Sequence, residues 1–279
     1  MSSKDLLESV KKLREITGVG FKDCKLAVDE TNGDLEKAIE FLRKKGIAKA
    51  SNKMSRTAAE GLCLLHGKDG EVALIEINSE TDFVAKNEAF VSFCKEVSII
   101  NFDNKSDLLK VKKANMKNNL SVETNLTDLI AKMGEKLTIR RSIFFDNSNG
   151  KNSFYVHGAV ENKIGKIISI VKTSKESEIG KKIAMHISAL SPMALEEKNL
   201  SKDIVSKEIE IIKAELVNSG KPKEMIEKIA KGKINKFISE NTLLNQVWIM
   251  DPKKKVSDIL DESDVKIIDF IRYKVGEGV

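Results

Sequence analysis

The stretch EINSETDFVAK, residues 76–86, marks the place where a strand gives way to a helix. Apolar residues of a short strand run up to Asn78, and helical spacing begins after Asp82. The acidic Asp82 and the aromatic Phe83 stand side by side at this junction. One interpretation is structural, with Asp82 as a helix N-cap and Phe83 as a buried anchor. The other is functional, with both side chains exposed so that they enter a partner, and the residues alone leave both open.

Two units of the same design are predicted around this junction and beyond it. In the first unit, residues 61–66 and 71–78 are apolar runs separated by a turn with glycine at both ends, which predicts a β-hairpin. Residues 154–160 and 164–171 repeat the pattern, and helical spacing follows each pair of runs. The sequence therefore predicts an α+β fold in which two related subdomains each cover one face of an antiparallel sheet with helices.

We place the first core subdomain at residues 57–145 and the second at residues 146–279. Before them, apolar residues at helical spacing predict three short helices within residues 1–46, the last of which ends at Gly46. So small a unit has a marginal core, and we expect a three-helix bundle that resembles a ubiquitin-associated domain. Residues 47–56 are predicted to form a mobile linker.

A helical hairpin is predicted as an insertion in the second subdomain, at about residues 201–238. Its two helical runs are joined by the short connection 218–221, which forces them to lie antiparallel, in the manner of a coiled coil. Self-association through this hairpin is left open. The residues predicted to face one another across the seam are Ile204, Ile211 and Ile212 on one helix and Met225, Ile229 and Ile234 on the other.

The composition is that of a globular chain with many surface charges. Its 279 residues include 48 basic and 42 acidic side chains, so the net charge of +6 supports solvated faces about as well as nucleic-acid binding. Three cysteines lie far apart, which argues against a disulfide framework and against a zinc site. Because neither a signal-peptide pattern nor a run of about 18 apolar residues occurs, we expect a cytoplasmic protein without a membrane span.

Two segments carry a resemblance to a known family. Residues 76–86 resemble the core signature of the elongation factor Ts family, and LREITGVGFKDCK, residues 13–25, resembles its amino-terminal signature. The resemblance implies a guanine-nucleotide exchange factor that binds elongation factor Tu, in its GDP-bound and nucleotide-free forms, and promotes GDP release during translation elongation. Many relatives continue past the position of Val279 into a further helix that contacts the GTPase, and we expect binding here to do without it.

The family's contact residues can be placed on this sequence through the resemblance. Its acidic-aromatic pair enters the GTPase beside the magnesium and phosphate site, and Asp82 and Phe83 hold those positions here. His157 matches a family histidine at the interface with the GTP-binding domain, while Arg14 and Phe21 lie in the segment through which the amino-terminal bundle docks. The complete set of expected contacts with elongation factor Tu is Arg14, Phe21, Asp23, Thr81, Asp82, Phe83, Val84 and His157.

We expect no enzyme activity, no cofactor and no metal site. The sequence contains neither a phosphate-binding glycine motif nor clustered metal ligands, and no nucleophile stands beside an activating base. The alternative function is that of a basic RNA-binding translation accessory protein. Few aromatic residues and a nearly balanced charge make nucleic acid the weaker prediction. The alternative would use Lys49, Lys53, Arg56, Lys110, Lys112 and Lys113.

Overall fold

Strands from both halves of the chain join one antiparallel sheet. The computed structural model describes residues 3–53, 55–217 and 223–279. In these residues the strands are β1 (Glu60–Lys68), β2 (Glu71–Ser79), β3 (Thr138–Phe145), β4 (Lys151–Glu161), β5 (Ile164–Thr173) and β6 (Ile267–Lys274). Their order across the sheet is β3-β2-β1-β5-β4, and β6 also pairs with β5.

Helices precede, connect and follow the strands. In chain order they are α1 (Ser3–Thr17), α2 (Phe21–Glu30), α3 (Leu35–Lys53), α4 (Asp82–Ala85), α5 (Glu88–Asp103), α6 (Leu108–Lys113), α7 (Val122–Met133), α8 (Glu178–Leu190), α9 (Lys202–Val217), α10 (Lys223–Asn241) and α11 (Val256–Ser263). Short 3₁₀ helices lie at Glu197–Asn199 and Leu243–Asn245.

The sheet consists of two halves that meet over a short distance. Strands β1, β2 and β3 form one half and β4, β5 and β6 the other, and β1 meets β5 at the pairs Cys63↔Gly165 and Leu64↔Ile164. Three helices before an antiparallel sheet with helices confirm the predicted α+β class. The proposed subdomain boundaries at residues 56 and 145 stay predictions.

Alternation along β1 distributes its side chains to two different cores. Leu62 and Leu64 face a cluster that includes Phe90 of α5 and residues of α7. Cys63 and Leu65 point to the opposite face, as the two-residue period of a strand requires. There they share a cluster with apolar side chains of β4, β5 and β6, so the two halves of the sheet pack against each other. Helices α8 and α11 bury the remaining face of the second half.

The first three helices form a bundle with its own core, as predicted. Leu13 of α1 and Cys24 of α2 are completely buried in it, together with Ala38 of α3. Gly18 separates α1 from α2 and has a φ of +65°, a backbone conformation that a residue with a Cβ adopts only with strain. The similarity to a ubiquitin-associated domain stays a prediction.

The third helix extends beyond its predicted end. Helix α3 continues through Lys53, so residues 47–53 of the predicted linker are helical. The prediction that Gly46 ends this helix was wrong because the residue serves close packing instead. A Cβ on Gly46 would lie 3.1 Å from the Cβ of Ala131 in α7. The missing side chain therefore lets the bundle approach the core, and α3 and α7 are in contact.

Helices α9 and α10 pack through a small apolar cluster. Ile212, Leu216 and Ala230 are buried in it, and Ile226, Ile229 and Ile234 pack against it. Three of the residues predicted for the seam, Ile204, Ile211 and Met225, are instead exposed. The other three predicted residues, Ile212, Ile229 and Ile234, are confirmed in this cluster, which continues along α9 from Ile212 to Leu216. The predicted connection 218–221 lies outside the described residues.

A buried carboxylate in the middle of β2 connects three segments. Glu76 is completely buried and accepts hydrogen bonds from Arg140 Nη1 at 3.0 Å and Arg141 Nε at 2.5 Å, both on β3. The Gly276 amide donates from the C-terminal turn at 2.9 Å, and Asn78 Nδ2 donates at 3.0 Å. Burial acts to raise the pKa of Glu76, but these bonds outweigh it and the pKa lies below its ordinary value.

Replacing Glu76 by Gln should lower the free energy of unfolding at neutral pH by about 3 kcal/mol, because two arginines lose a buried anionic partner. The folded-state pKa is depressed, so the charged carboxylate contributes fully above its unfolded-state pKa and loses that contribution as the pH falls through the folded-state pKa. The stability difference between variant and parent should therefore shrink between neutral pH and about pH 3. Urea unfolding at a series of pH values measures it.

Glu71 provides the matched control on the same strand. Its Gln variant should unfold within about 0.5 kcal/mol of the parent at every pH, as surface substitutions usually do. A destabilisation by Glu76→Gln that stayed constant down to acid pH would show that shape rather than charge is responsible.

Candidate functional site: an exposed acidic-aromatic turn

The turn formed by Asp82 and Phe83 projects from the end of β2. Phe83 is 81% exposed, so it is not the buried anchor of the structural interpretation. The helix cap is also a different residue, because Thr81 rather than Asp82 precedes α4 and accepts a hydrogen bond from the amide of Val84 at 3.4 Å. An aromatic ring in water at a strand–helix junction is an arrangement suited to contact with another molecule.

The residues after Phe83 hold the turn against the protein. Val84 and Ala85 are buried in the core cluster below α5. Val84 was predicted to contact the partner, but its side chain is buried, so it supports the turn from beneath instead of offering contact area. Helix α4 has only four residues because Asn87 starts α5 directly afterwards as its N-cap.

Asp82 is engaged by a lysine one helical turn away. Lys86 Nζ lies 2.7 Å from Asp82 Oδ2, and both side chains are largely in solvent. This hydrogen bond holds the pKa of Asp82 below its ordinary value, so the carboxylate is charged at neutral pH. The four-residue spacing was visible in the sequence, although it entered no prediction.

Glu135 and Lys136, which lie far from the turn in the sequence, form hydrogen bonds with its first residues. Thr81 donates to the carboxylate of Glu135, from its amide at 3.0 Å and from its hydroxyl at 2.6 Å. In return the amide of Lys136 donates to the carboxylate of Glu80 at 2.6 Å. Arg56 reaches the same Glu80 carboxylate at 3.3 Å. Sequence reasoning missed these partners, since nothing in separations of 24, 54 and 56 residues signals a contact.

His157 lies on the exposed part of β4 and is in contact with Tyr155, at 6.3 Å between ring centroids. Opposite this region, Lys166 of β5 bonds to the Glu60 carboxylate at 2.7 Å. Its side chain also lies within 3.4 Å of where a Cβ on Gly158 would stand. Lys166 therefore lies next to both Glu60 of β1 and Gly158, the residue that follows His157.

The predicted residues of the bundle form a second group. Arg14 is exposed, and Phe21, the first residue of α2, is 44% exposed. Asp23 is less accessible, and its carboxylate lies 3.1 Å from Lys45 Nζ on α3. Phe21 is thus no core residue, and its half-exposed ring is available for contact, as are the exposed side chains of Arg14 and Lys22.

The bundle packs against α7. The C-terminal end of α7 leads directly to Glu135 and Lys136, which form hydrogen bonds with the turn. Lys53 of α3 donates to the carbonyl of Gly134, and Lys132 lies over Gly18. Gly134 ends α7 in the left-handed conformation with a φ of +75°, and Glu135 follows directly. The two groups of predicted contact residues are therefore connected through α3 and α7.

The described residues contain no group of three or more potential metal ligands, and none of their helices is both long and apolar enough to cross a membrane. His186, which is buried, bonds to Gln246 at 3.0 Å and stacks on Trp248. Its partners make it part of the core.

The chain is similar to known proteins over most of its length. A family model described as elongation factor TS matches residues 80–277, a span that begins immediately before Thr81. The elongation factor Ts of Methylococcus capsulatus is 39% identical over 273 residues, which cover 97% of this chain and 92% of that protein. The chain therefore belongs to the elongation factor Ts family.

Proposed function

We propose that this chain, a nucleotide exchange factor for elongation factor Tu by its family, acts by inserting the Asp82–Phe83 turn beside the magnesium and phosphate site of that GTPase. One observation carries the proposal, namely that Phe83 is 81% exposed on a backbone that is anchored on both sides. A monomer gains nothing from holding a large apolar ring in water, whereas a partner can bury it.

An anchored aromatic ring is well suited to displace part of a nucleotide site. The phosphates of GDP are held by backbone amides, and the magnesium ion requires nearly ideal octahedral oxygen geometry. A displacement of about 1 Å weakens both interactions. Phe83 supplies bulk with few rotatable bonds, so little entropy is lost when it inserts.

Asp82 supplies charge at the same place. Its carboxylate is ionised at neutral pH and is paired with Lys86 in solvent. Exposed ion pairs of this kind contribute little to stability, so the carboxylate can exchange Lys86 for a donor of the GTPase at little cost. Thr81 belongs to the same site through its control of the turn.

His157 and the bundle provide the remaining contacts in this proposal. His157 is exposed on β4, next to Gly158 and Lys166, and supplies a further contact with the GTPase in this proposal. Arg14 and Phe21 form a separate docking surface on the bundle, which Asp23 supports through its ion pair with Lys45. Two linked surfaces on one partner bind more tightly than either alone.

Exchange on this scheme is a coupling between two ligands of the GTPase. If the chain binds the nucleotide-free form better than the GDP form by some factor, GDP weakens the binding of the chain by the same factor. Each ligand thus expels the other, and GTP enters the vacated site without any chemical transformation by this chain. A cytoplasmic location, where translation elongation occurs, is part of the proposal.

The RNA-binding alternative has less support. Three of its basic residues are engaged within the protein: Arg56 with Glu80, Lys110 with Asp107, and Lys53 with a carbonyl. Self-association through the hairpin stays a prediction.

Replacing Asp82 and Phe83 together by Ala should slow GDP release at least about 30-fold, the effect expected when a central buried contact is lost. The measurement is the release of labelled GDP from elongation factor Tu, with and without the chain. The melting temperature should stay within about 2 °C of the parent, because both side chains are in solvent.

Leu109 provides the control, since it is 74% exposed on α6 and lies in none of the proposed surfaces. With the Leu109→Ala variant, GDP should leave elongation factor Tu as fast as with the parent chain. Full exchange activity of the double variant would overturn the proposed role of the turn.

Replacing Arg14 and Phe21 together by Ala should weaken binding of elongation factor Tu at least about tenfold, because a docking surface is lost while the turn is intact. Isothermal titration calorimetry with the nucleotide-free GTPase measures the affinity. Leu26→Ala is the matched control, because Leu26 is 39% exposed on the same helix as Phe21 and is expected to leave the affinity unchanged. An unaltered affinity of the double variant would remove these residues from the interface.

A further inference from the structure

The two segments at the base of the turn bind each other reciprocally. Thr81 donates its amide and its hydroxyl to the two carboxylate oxygens of Glu135, at 3.0 and 2.6 Å. Lys136 donates its amide to the carboxylate of Glu80 at 2.6 Å. We call these four residues, Glu80, Thr81, Glu135 and Lys136, the clasp. Hydrogen bonds to a charged acceptor are about twice as strong as neutral ones, so the clasp is a strong local constraint.

The hydroxyl group of Thr81 needs the Glu135 carboxylate as an acceptor in order to cap α4 in one fixed orientation. A hydroxyl has one proton and two acceptor positions. When the proton of Thr81 points to Glu135, the oxygen presents its lone pairs elsewhere, and the amide of Val84 lies 3.4 Å from it. Glu135 thus sets the orientation in which Thr81 caps α4. An acceptor that could not take both donors of Thr81 would leave the cap free to rotate.

Helix α4 depends on such support. A helix of four residues is not stable by itself, since the first turn costs more conformational entropy than its hydrogen bonds return. Its two fixed points are Thr81, held by the clasp, and Val84, buried in the core. Phe83 lies between them, so its direction follows from these points and not from contacts of its own ring.

We propose that Glu135 is a positioning residue for nucleotide exchange, which acts by holding Thr81 so that Phe83 is presented in one direction. The proposal rests on the proposed function, in which the Asp82–Phe83 turn is the part that enters the GTPase. Glu135 itself is half-buried beneath the turn and acts through Thr81. A turn that is ordered before binding loses less entropy on insertion, which favours the complex with the displaced nucleotide site.

Glu135→Gln tests the proposal because it keeps the size of the side chain and removes one acceptor. One donor of Thr81 then faces an amide group. GDP release from elongation factor Tu should become about tenfold slower, while the melting temperature stays close to that of the parent. Thr81→Val should have a similar effect because it lacks the hydroxyl. The matched control is Glu123→Gln, because Glu123 is an exposed residue of α7. This variant should promote GDP release as fast as the parent does.

A double-mutant cycle distinguishes positioning from a merely structural role. If Glu135 acts through the turn, Glu135→Gln should have no further effect when Asp82 and Phe83 are both Ala. The proposal would be overturned if Glu135→Gln slowed GDP release in that background by the same factor as in the parent. It would also be overturned if the single variant Glu135→Gln promoted GDP release at the parent's rate.

Amide hydrogen exchange gives a readout that does not depend on the GTPase. In Glu135→Gln the amides of Thr81 and Val84 should exchange faster than in the parent, while those of β1 keep their protection. Unchanged protection at both amides would overturn the positioning role whatever the rate of GDP release. If the amides lost protection while the Asp82 and Phe83 double variant exchanged normally, the proposed function would fail and the effect of Glu135 on the turn would stand.

Discussion

The buried carboxylate of Glu76 is the constraint on which the arrangement of the core depends. It lies on β2, and its partners come from β3 and from the C-terminal turn that follows β6. A buried charge without partners costs several kcal/mol, so these segments are stable only when they are assembled around it. Gly276 fits this turn because a Cβ there would lie 2.0 Å from the carbonyl oxygen of Ala59, just before β1. The strand that leads into the Asp82–Phe83 turn is therefore bonded at its centre to distant parts of the chain.

The Asp82–Phe83 turn combines exposure with rigidity, and these properties have separate sources. Exposure follows from the position of Phe83 beyond the end of β2, where none of the described elements covers its ring. Rigidity comes from below, through the buried Val84, and from the side, through the hydrogen bonds between Thr81 and Glu135. Because α7 also carries the bundle, the same helix supports both surfaces that the proposed function uses. Both surfaces are then ordered before binding, so contact at one of them does not require a loss of conformational entropy at the other.

Much of this organisation was predictable from local pattern. The alternation in residues 61–66 and 71–78 predicted the hairpin of β1 and β2, which pair from Glu60↔Ser79 to Lys68↔Glu71. The acidic-aromatic pair was recognised as a candidate site, although its exposure was undecided by the residues alone. Gly46 was misread as a helix end because glycine also occurs where two helices approach closely, and the two cases look identical in one sequence. Ile212 was assigned correctly to the contact of α9 with α10, whereas Ile204 and Ile211 were assigned wrongly because two adjacent stripes of α9 are apolar.

The sequence by itself determined the class of fold, the order of the elements, the family and the two side chains at the tip of the turn. The fold class and the order of the elements follow from spacing between neighbouring residues, which acts through hydrogen bonds and alternation within a few positions. The family and the two side chains at the tip were given by the resemblance of residues 13–25 and 76–86. Only the tertiary structure decided that Phe83 is exposed, that Val84 is buried, and that Glu135 holds Thr81 across a separation of 54 residues. Such contacts form because the sheet and α7 bring distant segments together. The sequence around a carboxylate does not indicate which hydrogen-bond donor it will contact in the folded protein.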